Sequence, residues 1–513
     1  MATEVLLLTA NVGSIFEDPD HMLKIWIDEF LKLIRERRPE FVALHCQEVG
    51  GKNYETSMQH VDSFVRDVLA SPEIDSQFDR AVILLDKDFN RAASFTALGN
   101  LYLISRRLQQ ADLWDWAAER YRPVEGHEVH TGDLAAISEA DKDKFPQEYF
   151  PNCKWSRKGY LRTRWRIRGT EIDLVNIHLF HDACNMIAIE TSPSPYSENR
   201  RRALQHTLDR FHADRHSNVP FFIFGDFNFR VNAHGVVKHL TKDLKPLAKA
   251  DLEMVEFHDD SETVVLRIGK KEFFHSTHQD TFLQDISWLL SFDQELDEFR
   301  DRLHEFPIEF PPSYPFEENV DRSEYLMKTR CPSWCDRILM SKSALQVIHQ
   351  DGHGDVTYGM VGRERCMGDH KPIMLRLPLR AECRPVCCAL GRPCPPYGRA
   401  GSLPLRPGPP AAAGRRRVSS LGGEPPPLRH KQSRLRLELS ARLHSHHSSS
   451  DEDWFEEVDA EEPPEPETNG QTAPADTAVP NGAPVTDLQE PVQMVAQRAA
   501  PRRRRPRCQC GLV

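Results

Sequence analysis

The 513-residue sequence lacks a long apolar run, an internal repeat and a regular cysteine spacing. Because no apolar stretch approaches the roughly 20 residues that span a bilayer, any membrane attachment is expected to be peripheral or lipid-mediated. The 12 cysteines do not follow a disulfide-scaffold pattern, which indicates a reducing cytosolic compartment. The first apolar run, residues 5–8, is too short for a secretory signal and is predicted to be a strand. The net charge of −11 is modest for this length and points to no class of partner.

Composition divides the chain into two parts near residue 380. Residues 1–380 have ordinary globular composition and are predicted to form one domain with a sizeable core. Residues 381–513 are rich in Pro, Gly, Ala, Arg and Ser and contain few aromatic residues. We expect this second part to be a disordered tail.

Within the first part, short apolar runs alternate with amphipathic segments. The runs at 4–8, 41–44, 81–85, 173–177 and 221–224 are predicted strands. Residues 21–37 carry apolar side chains at helical spacing, which predicts a helix that ends before Pro39. This alternation predicts an α/β layered sandwich in which the polar strand ends meet at one rim.

Five short polar segments stand at or near the ends of predicted strands. They are TANVG at 9–13, CQE at 46–48, GDFNFR at 225–230, PSWCDRIL at 332–339 and GDHKP at 368–372. Acids, amides and a histidine at strand ends are the groups that metal-assisted phosphate ester hydrolysis needs. In this order the segments resemble the inositol polyphosphate 5-phosphatases, a branch of the DNase I-like metal-dependent phosphoesterases, over roughly residues 5–378.

Further segments resemble the type I branch of that family, which acts on water-soluble inositol phosphates. They lie at 145–147, 154–159, 176–182 and 310–314. The resemblance implies a four-layer α/β sandwich of the DNase I-like endonuclease/exonuclease/phosphatase type, with residues 1–380 as the catalytic domain. It also implies a Mg²⁺-dependent enzyme that removes the 5-phosphate from inositol 1,4,5-trisphosphate and inositol 1,3,4,5-tetrakisphosphate, ending calcium-release signals.

Metal binding is predicted at the ends of the first two strands. Mg²⁺ prefers oxygen ligands and keeps several waters, so one or two carboxylates are enough. Glu48 is the best candidate, with Asn11 beside it on the neighbouring strand. The resemblance implies that both residues bind the metal and that Asp369 lies in the metal shell or its second layer.

Catalytic roles are predicted for two groups of residues. On an extended backbone, Asp226 and Asn228 would point to the same face. By resemblance, Asp226 orients and deprotonates the attacking water, and Asn228 donates a hydrogen bond to the transition-state phosphate. The resemblance also makes Asp336 the partner of His370, an arrangement that raises imidazole basicity. His370 and His178 are then expected to contact the scissile phosphate.

Cationic side chains are predicted to bind the phosphates of the substrate. Four arginines alternate with other residues between 162 and 168, so a strand would place their guanidinium groups on one face. We expect Arg162 and Arg164 to hold a phosphorylated ring there. For Arg166 and Arg168, a solvated strand face is an equal alternative. Lys158 belongs to a Lys-Gly pair that the family uses against substrate phosphate, so it is the stronger prediction.

Three further residues bear on the choice between soluble and lipid substrates. Tyr314, Lys328 and Arg330 match positions at which the lipid-acting relatives bind the 4-phosphate. After Tyr314, however, this chain has Pro315 and Phe316 where those relatives usually have Lys-Tyr. The histidine spacing at 178–181 is also one residue shorter than in the lipid-acting group. Both departures favour soluble substrates, and phosphatidylinositol 4,5-bisphosphate stays open as the alternative.

The tail carries predicted modification sites. Cys510 begins a C-terminal Cys-a-a-X box, CGLV, and four arginines upstream supply the second signal that a single lipid chain needs. We expect prenylation at Cys510, palmitoylation at Cys508 and phosphorylation at Ser419 within RRVS. The expected location is therefore the cytoplasm, with peripheral attachment to the inner face of the plasma membrane. Adaptors or kinases are expected to bind the tail.

Two other functions remain open. A nuclease on the same scaffold would share Glu48, Asp226, Asn228 and His370. No basic and aromatic nucleic-acid surface is evident, so no nucleic-acid partner is expected. An inactive membrane scaffold would suit the tail, but every predicted catalytic position is intact. The expected form is a monomeric enzyme that binds inositol polyphosphates.

Overall fold

The computed structural model describes residues 2–147, 156–214, 216, 218–249, 253–349, 356–382, 386–387 and 392–393. Its strands are β1 (Ala2–Asn11), β2 (Phe41–Gln47), β3 (Phe78–Asp86), β4 (Gly99–Ser105), β5 (Ala111–Asp115), β6 (Arg120–Pro123), β7 (His127–Gly132), β8 (Asp141–Lys144), β9 (Gly159–Ile167), β10 (Thr170–His178), β11 (Phe221–Asp226), β12 (Lys245–Lys249), β13 (Met254–His258), β14 (Val264–Gly269), β15 (Glu272–His275), β16 (Leu303–His304), β17 (Asp336–Ser341), β18 (Thr357–Met360), β19 (Ile373–Arg380), β20 (Val386–Cys387) and β21 (Arg392–Pro393).

The helices in these ranges lie mostly between the strands of the two large sheets. They are α1 (Gly13–Glu17), α2 (Pro19–Arg37), α3 (Tyr54–Ser57), α4 (Gln59–Leu69), α5 (Pro72–Gln77), α6 (Asn185–Glu190), α7 (Pro195–Ala213), α8 (Ala233–Leu240), α9 (His278–Leu283), α10 (Ser287–Leu290) and α11 (Ala344–Val347). Among the helices of the described ranges, none is both long and apolar enough to cross a membrane. The predicted tail, residues 381–513, lies almost wholly outside these ranges, so its disorder stays a prediction.

The helix predicted over residues 21–37 is observed as α2. Pro19 stands at its start, where the missing N–H of proline is tolerated. Trp26, Phe30 and Ile34 recur at a spacing of four residues and are buried. The helix ends at Arg37, and the next residue, Arg38, takes a left-handed conformation with φ of 44°.

Two large mixed sheets form the centre of the described structure. The first has the strand order β18-β19-β1-β2-β4-β3-β7, and the second has the order β16-β17-β11-β10-β9-β5-β6, with β8 paired to β9. Each sheet contains a central parallel pair, β1 with β2 and β10 with β11. Parallel strands end at the same edge of a sheet, so Asn11 lies opposite Gln47 and His178 lies opposite Asp226.

The two sheets pack face to face, and helices cover their outer faces. Val5 and Leu7 of β1 point into the core between the sheets. Leu6 and Leu8 point the opposite way, because strand side chains alternate, and they pack in a second core with α2 and α4. A third core joins the second sheet to α7. The order helix, sheet, sheet, helix confirms the predicted α/β sandwich.

A smaller lobe is inserted between α8 and β16. Its four strands, β12 to β15, form an antiparallel sheet in sequence order, and α9 and α10 follow them. Buried Leu266, Ile268 and Phe273 attach the lobe to the main core.

Candidate active site

The metal candidates stand at the ends of β1 and β2. Asn11 is the last residue of β1, and Glu48 directly follows β2. Glu48 has φ of 55°, a conformation that is uncommon outside glycine and persists where the surroundings impose it. A Cβ at position 13 would lie 2.8 Å from Glu48 Oε2, so a larger residue there would displace this carboxylate. The backbone thus leaves room around this carboxylate.

Asp369 is connected to the same edge of the first sheet through Ser14 in α1. The Ser14 hydroxyl donates to Asp369 Oδ1 at 2.8 Å. Asp369 and Glu48 are both carboxylates, so neither a hydrogen bond nor an ion pair could report whether they lie close together. Direct binding of a metal by Asp369 therefore stays a prediction, while Asn11 and Glu48 are neighbours as expected.

Asp226 links the metal candidates to the predicted catalytic residues. Its Oδ2 accepts hydrogen bonds from Asn11 Nδ2 and Asn228 Nδ2, both at 3.1 Å, and its Oδ1 accepts from the Asn228 backbone N–H at 2.8 Å. Burial opposes ionisation, but the charge of His370 and the hydrogen bond of His178 outweigh it and hold the pKa of Asp226 well below its usual range. Asp226 is therefore an ionised carboxylate with acceptor capacity at neutral pH.

Asn228 departs from the predicted backbone geometry. Strand β11 ends at Asp226, and Asn228 has φ of 50°, so the prediction of an extended backbone is wrong here. Arg230 donates to Asn228 Oδ1 at 2.8 Å, and a guanidinium has no acceptor, so the amide oxygen must face Arg230. The amide nitrogen donates to Leu179 O and to Asp226 Oδ2. Donation from Asn228 to a phosphate stays a prediction.

Lys158 and His178 meet between Glu48 and Asp226. Lys158 Nζ lies 2.5 Å from His178 Nε2 and 3.9 Å from Glu48 Oε1. His178 Nε2 lies 3.7 Å from Glu48 Oε1 and 3.3 Å from Asp226 Oδ2. The second ring nitrogen of His178 is buried without a hydrogen-bond partner among the described residues. Lys158 and His178 thus lie between the carboxylates of Glu48 and Asp226.

The charges of this cluster depend on one another. Burial disfavours the ionised form of Glu48, but Arg157 and Lys158 outweigh it and hold the pKa of the carboxyl well below its usual range. Burial lowers the pKa of Lys158 to about 8, although Glu48 and Asp226 favour its charged form. Glu48 is therefore ionised and ready to act as an oxygen ligand.

His370 and Asp336 form the predicted pair. His370 Nδ1 lies 2.8 Å from Asp336 Oδ2, which also accepts from the Ser313 hydroxyl at 2.7 Å. Burial disfavours a charged imidazole, but the carboxylates of Asp336 and Asp226 outweigh it and raise the pKa of His370. Ligand atoms of Asp226, Asp336 and His370 lie within 4.8 Å of one another. His370 Nδ1 and Asp336 Oδ2 are already hydrogen-bonded to each other, so they are less available to bind a metal. Asn11 and Glu48 therefore remain the better metal ligands.

The three residues matched to 4-phosphate recognition lie in different surroundings. The Tyr314 ring packs on His370 at 4.5 Å between centroids, and the Arg230 guanidinium lies 4.4 Å from the Tyr314 ring. Lys328 is exposed. Arg330 is half-buried and donates to the carbonyls of Thr329 and Ala183 at 3.1 and 3.3 Å. Tyr314 therefore adjoins the catalytic pair, and substrate contact by Lys328 and Arg330 stays a prediction.

The prediction that Arg162 and Arg164 bind substrate is wrong. Both are buried, with exposed fractions of 3% and 1%, and both donate to Asp173 and Asp214. Arg164 pairs with Asp173 in the register of β9 and β10, five residues from His178, or about 16 Å along the strand. The alternation along β9 does place these arginines on one face, but carboxylates from other elements cover that face.

Arg164→Met is expected to lower the free energy of unfolding by about 3 kcal/mol, because it leaves the buried Asp173 carboxylate short of a partner. The KM for an inositol phosphate is expected to stay within about twofold of wild type, since Arg164 lies far from the rim. Arg166→Met is the matched control. Arg166 is partly exposed, and its buried partner Asp112 would keep a hydrogen bond from Gln110 at 2.9 Å, so this change should cost less, about 1 kcal/mol. Urea denaturation and steady-state kinetics measure both quantities, and a raised KM at unchanged stability would restore the original prediction.

Two residues at the site were not singled out from the sequence. Arg230 contacts both Asn228 and Tyr314, and Ser313 donates to Asp336. Both belong to segments that the sequence analysis marked, so the signal lay in the segment and not in the single residue. Arg157, expected from the sequence to help bind phosphate, lies 3.9 Å from Glu48 Oε2.

The fold and this site define a phosphoesterase class, and comparison with known proteins agrees. The family model described as Endonuclease/Exonuclease/phosphatase family 2 matches residues 118–376. Inositol polyphosphate-5-phosphatase A of Homo sapiens is 47% identical over 383 residues, which cover 73% of this chain and 92% of that protein. The probable type I inositol 1,4,5-trisphosphate 5-phosphatase of Caenorhabditis elegans is 35% identical over 413 residues, covering 72% of this chain and 98% of that protein.

The chain belongs to the inositol polyphosphate 5-phosphatase family. A solved structure of the inositol polyphosphate 5-phosphatase domain of SPsynaptojanin, in complex with inositol (1,4)-bisphosphate and calcium ion, is 13% identical, with a TM-score of 0.43. That match covers 74% of this chain and 84% of the other. At this similarity it carries no argument about the present site.

Proposed function

We propose that the protein is a phosphomonoesterase that removes the 5-phosphate from inositol 1,4,5-trisphosphate and inositol 1,3,4,5-tetrakisphosphate. The observation that carries this proposal is the cluster of Glu48, Lys158, His178 and Asp226 at the common end of β2, β10 and β11. It supplies an ionised oxygen ligand, a cation for a phosphate oxygen and a carboxylate to hold water. Names of the relatives, one of them a trisphosphate 5-phosphatase, support the same substrate class.

Mg²⁺ is the proposed cofactor. Glu48 and the Asn11 side-chain oxygen would hold it, because both are oxygen donors and the glycine at 13 leaves the Glu48 carboxylate unobstructed. Asn11 Oδ1 accepts from the Gly13 N–H at 3.0 Å and keeps a second lone pair for a cation. When bound, the metal would neutralise charge on the phosphate and polarise it for attack. Asp369, which accepts a hydrogen bond from the Ser14 hydroxyl, would lie in the second layer around the metal and not bind it directly.

The side chains of this chain would divide the remaining work. Asp226, fixed by Asn11 and Asn228, would accept a hydrogen bond from the attacking water and take its proton. Lys158 and His370 would donate to phosphate oxygens, where negative charge must be stabilised. Asp336 would keep His370 oriented and charged.

The proposal is tested by measuring phosphate release by the full chain with Mg²⁺. The substrates are inositol 1,4,5-trisphosphate, inositol 1,3,4,5-tetrakisphosphate, phosphatidylinositol 4,5-bisphosphate in micelles and single-stranded DNA. Release from the two soluble inositol phosphates alone is expected. Turnover of the lipid would replace the soluble-substrate proposal by the lipid alternative, degradation of DNA would replace it by a nuclease, and no turnover at all would favour an inactive scaffold.

We also propose cytoplasmic location with peripheral attachment to the inner face of the plasma membrane. Cys510, Cys508 and Ser419 all lie outside the described residues, so this proposal is supported by the CGLV terminus and the upstream arginines. Cys510→Ser is expected to move the protein from the membrane fraction to the soluble fraction of cell lysates. An unchanged distribution would contradict prenylation. Phosphorylation of Ser419 and adaptor binding by the tail remain predictions, and mass spectrometry of tail peptides tests the phosphorylation.

A further inference from the structure

The segment of residues 326–330, which contains Lys328 and Arg330, is fixed by residues outside the two large sheets. The Gln279 side chain both accepts from Leu326 N and donates to Leu326 O, each at 2.8 Å. The Phe273 backbone N–H donates to the Lys328 carbonyl at 2.8 Å. Asn185 Nδ2 donates to the Thr329 carbonyl at 2.9 Å. Gln279 and Phe273 belong to the inserted lobe, so the lobe sets the course of this segment.

Phe274 is the residue of the lobe that contacts the Lys328 side chain. In β15, Phe273 points into the core, and the next residue, Phe274, therefore faces the opposite side. Arg267 stands directly across on β14, with its guanidinium 5.0 Å from the Phe274 ring centroid. Lys328 Nζ lies 4.8 Å from the same centroid. Phe274 is thus flanked by two cations.

The two cations differ in their electrostatic partners. Arg267 Nη2 lies 2.8 Å from Glu272 Oε1 and its Nη1 lies 3.8 Å from Glu256 Oε1, so its charge is compensated within the lobe. Among the described residues, no carboxylate pairs with Lys328. A lysine ammonium on its flexible stem loses rotamer freedom when an anion binds it, and a ring that already holds it reduces that loss. Phe274 thus presents Lys328 as a partly ordered, uncompensated cation.

We propose that Phe274 is a positioning residue that sets substrate specificity by holding Lys328 against a second phosphate of the substrate. This inference rests on the proposed function, in which the substrate carries phosphates beyond the one removed. The lobe of β12 to β15 is then a recognition element, since it fixes both the backbone of the 326–330 segment and the direction of the Lys328 side chain. The chemistry of hydrolysis stays at the rim of the two sheets, so Phe274 acts on binding and not on the chemical step.

The test compares full-chain Phe274→Leu with wild type on two substrates, inositol 1,4,5-trisphosphate and inositol 1,5-bisphosphate, which lacks the 4-phosphate. For the trisphosphate, KM is expected to rise about threefold to tenfold, in line with the strength of one cation–π contact, with kcat within about twofold. For the bisphosphate, both constants are expected to be unchanged. Phe274→Tyr should restore the wild-type KM, because its ring still meets the cation.

Two controls separate this role from a general effect on the lobe. Phe257→Leu removes a half-buried ring on β13 of the same sheet that packs on the core, and it is expected to leave both KM values unchanged. In a Lys328→Met background, Phe274→Leu should add no further effect, because the two changes remove the same interaction. Thermal melting of each variant checks that the chain is folded.

The outcomes distinguish failure of this inference from failure of the proposed function. An equal effect of Phe274→Leu on both substrates, a loss confined to kcat, or behaviour identical to Phe257→Leu would overturn the positioning role while leaving the phosphatase intact. If wild-type protein released phosphate from neither inositol phosphate, the proposed function would fall and the inference with it.

Discussion

Asp226→Asn is expected to lower kcat for inositol trisphosphate hydrolysis by about 10³-fold, the range attributed to a positioned general base. Asp226 accepts three hydrogen bonds, from Asn11 Nδ2, from Asn228 Nδ2 and from the Asn228 backbone. An asparagine would keep the size of the side chain, but an NH₂ group would replace one carboxylate oxygen. That NH₂ group would face the N–H donors of Asn11 or Asn228. The substitution would also remove the carboxylate that takes the proton of water.

The measurement is steady-state phosphate release by wild type and by the variant under saturating substrate. Asp260→Asn is the matched control, because Asp260 is exposed and, among the residues that the structure describes, forms an ion pair with exposed Lys245. Its kcat should equal that of wild type. Circular dichroism and thermal melting establish that the Asp226 variant is folded. If it kept more than about a tenth of wild-type kcat, Asp226 would have no role as the base.

Glu48→Gln is expected to weaken Mg²⁺ binding by at least about 100-fold, because even partners that only support a ligand change metal affinity by 10- to 100-fold. A neutral amide is a poorer ligand than a carboxylate for a hard cation. It would also leave Lys158 and Arg157 without the charge that now lies 3.9 Å from each of them. Activity at fixed Mg²⁺ should fall in parallel, and excess metal should restore part of it.

Isothermal titration calorimetry with Mg²⁺ reads this change without relying on turnover. Glu55→Gln, at an exposed position in α3, controls for the loss of one negative charge. Treatment of wild type with a chelator should abolish activity, and Mg²⁺ should restore it. Wild-type metal affinity in the Glu48 variant would show that the metal lies elsewhere, with Asp226, Asp336 and His370 as the remaining candidates.

The layout of the site was predictable from the sequence because strong local signals fix it. Apolar runs such as residues 41–44 and 221–224 mark buried strands, and both lie within observed strands. The polar residues that follow them must then gather where parallel strands end together. That reasoning correctly placed Asn11 beside Glu48. For His178 and Asp226 it predicted only a shared rim, and the structure places them 3.3 Å apart. The Asp336–His370 pair was predicted by resemblance, and the structure confirms it.

Burial of charged side chains was not predictable in the same way. The alternation of residues in β9 predicts that Arg162 and Arg164 share one face of the strand. It does not predict which side chains cover that face. Their partners are Asp173 on the next strand and Asp214 after α7, about fifty residues along the chain. Two local backbone states were also missed, at Glu48 and Asn228, where positive φ values depend on surrounding contacts and not on residue type.

The central claim is that this chain removes the 5-phosphate of a soluble inositol polyphosphate. It is tested most directly by incubating the full chain with inositol 1,4,5-trisphosphate and Mg²⁺ and identifying the products by ³¹P NMR. We predict inorganic phosphate and inositol 1,4-bisphosphate in equal amounts, released about 10³-fold more slowly by the Asp226→Asn variant. Release of the 1- or 4-phosphate instead, or an intact trisphosphate after incubation with folded wild-type protein, would contradict it.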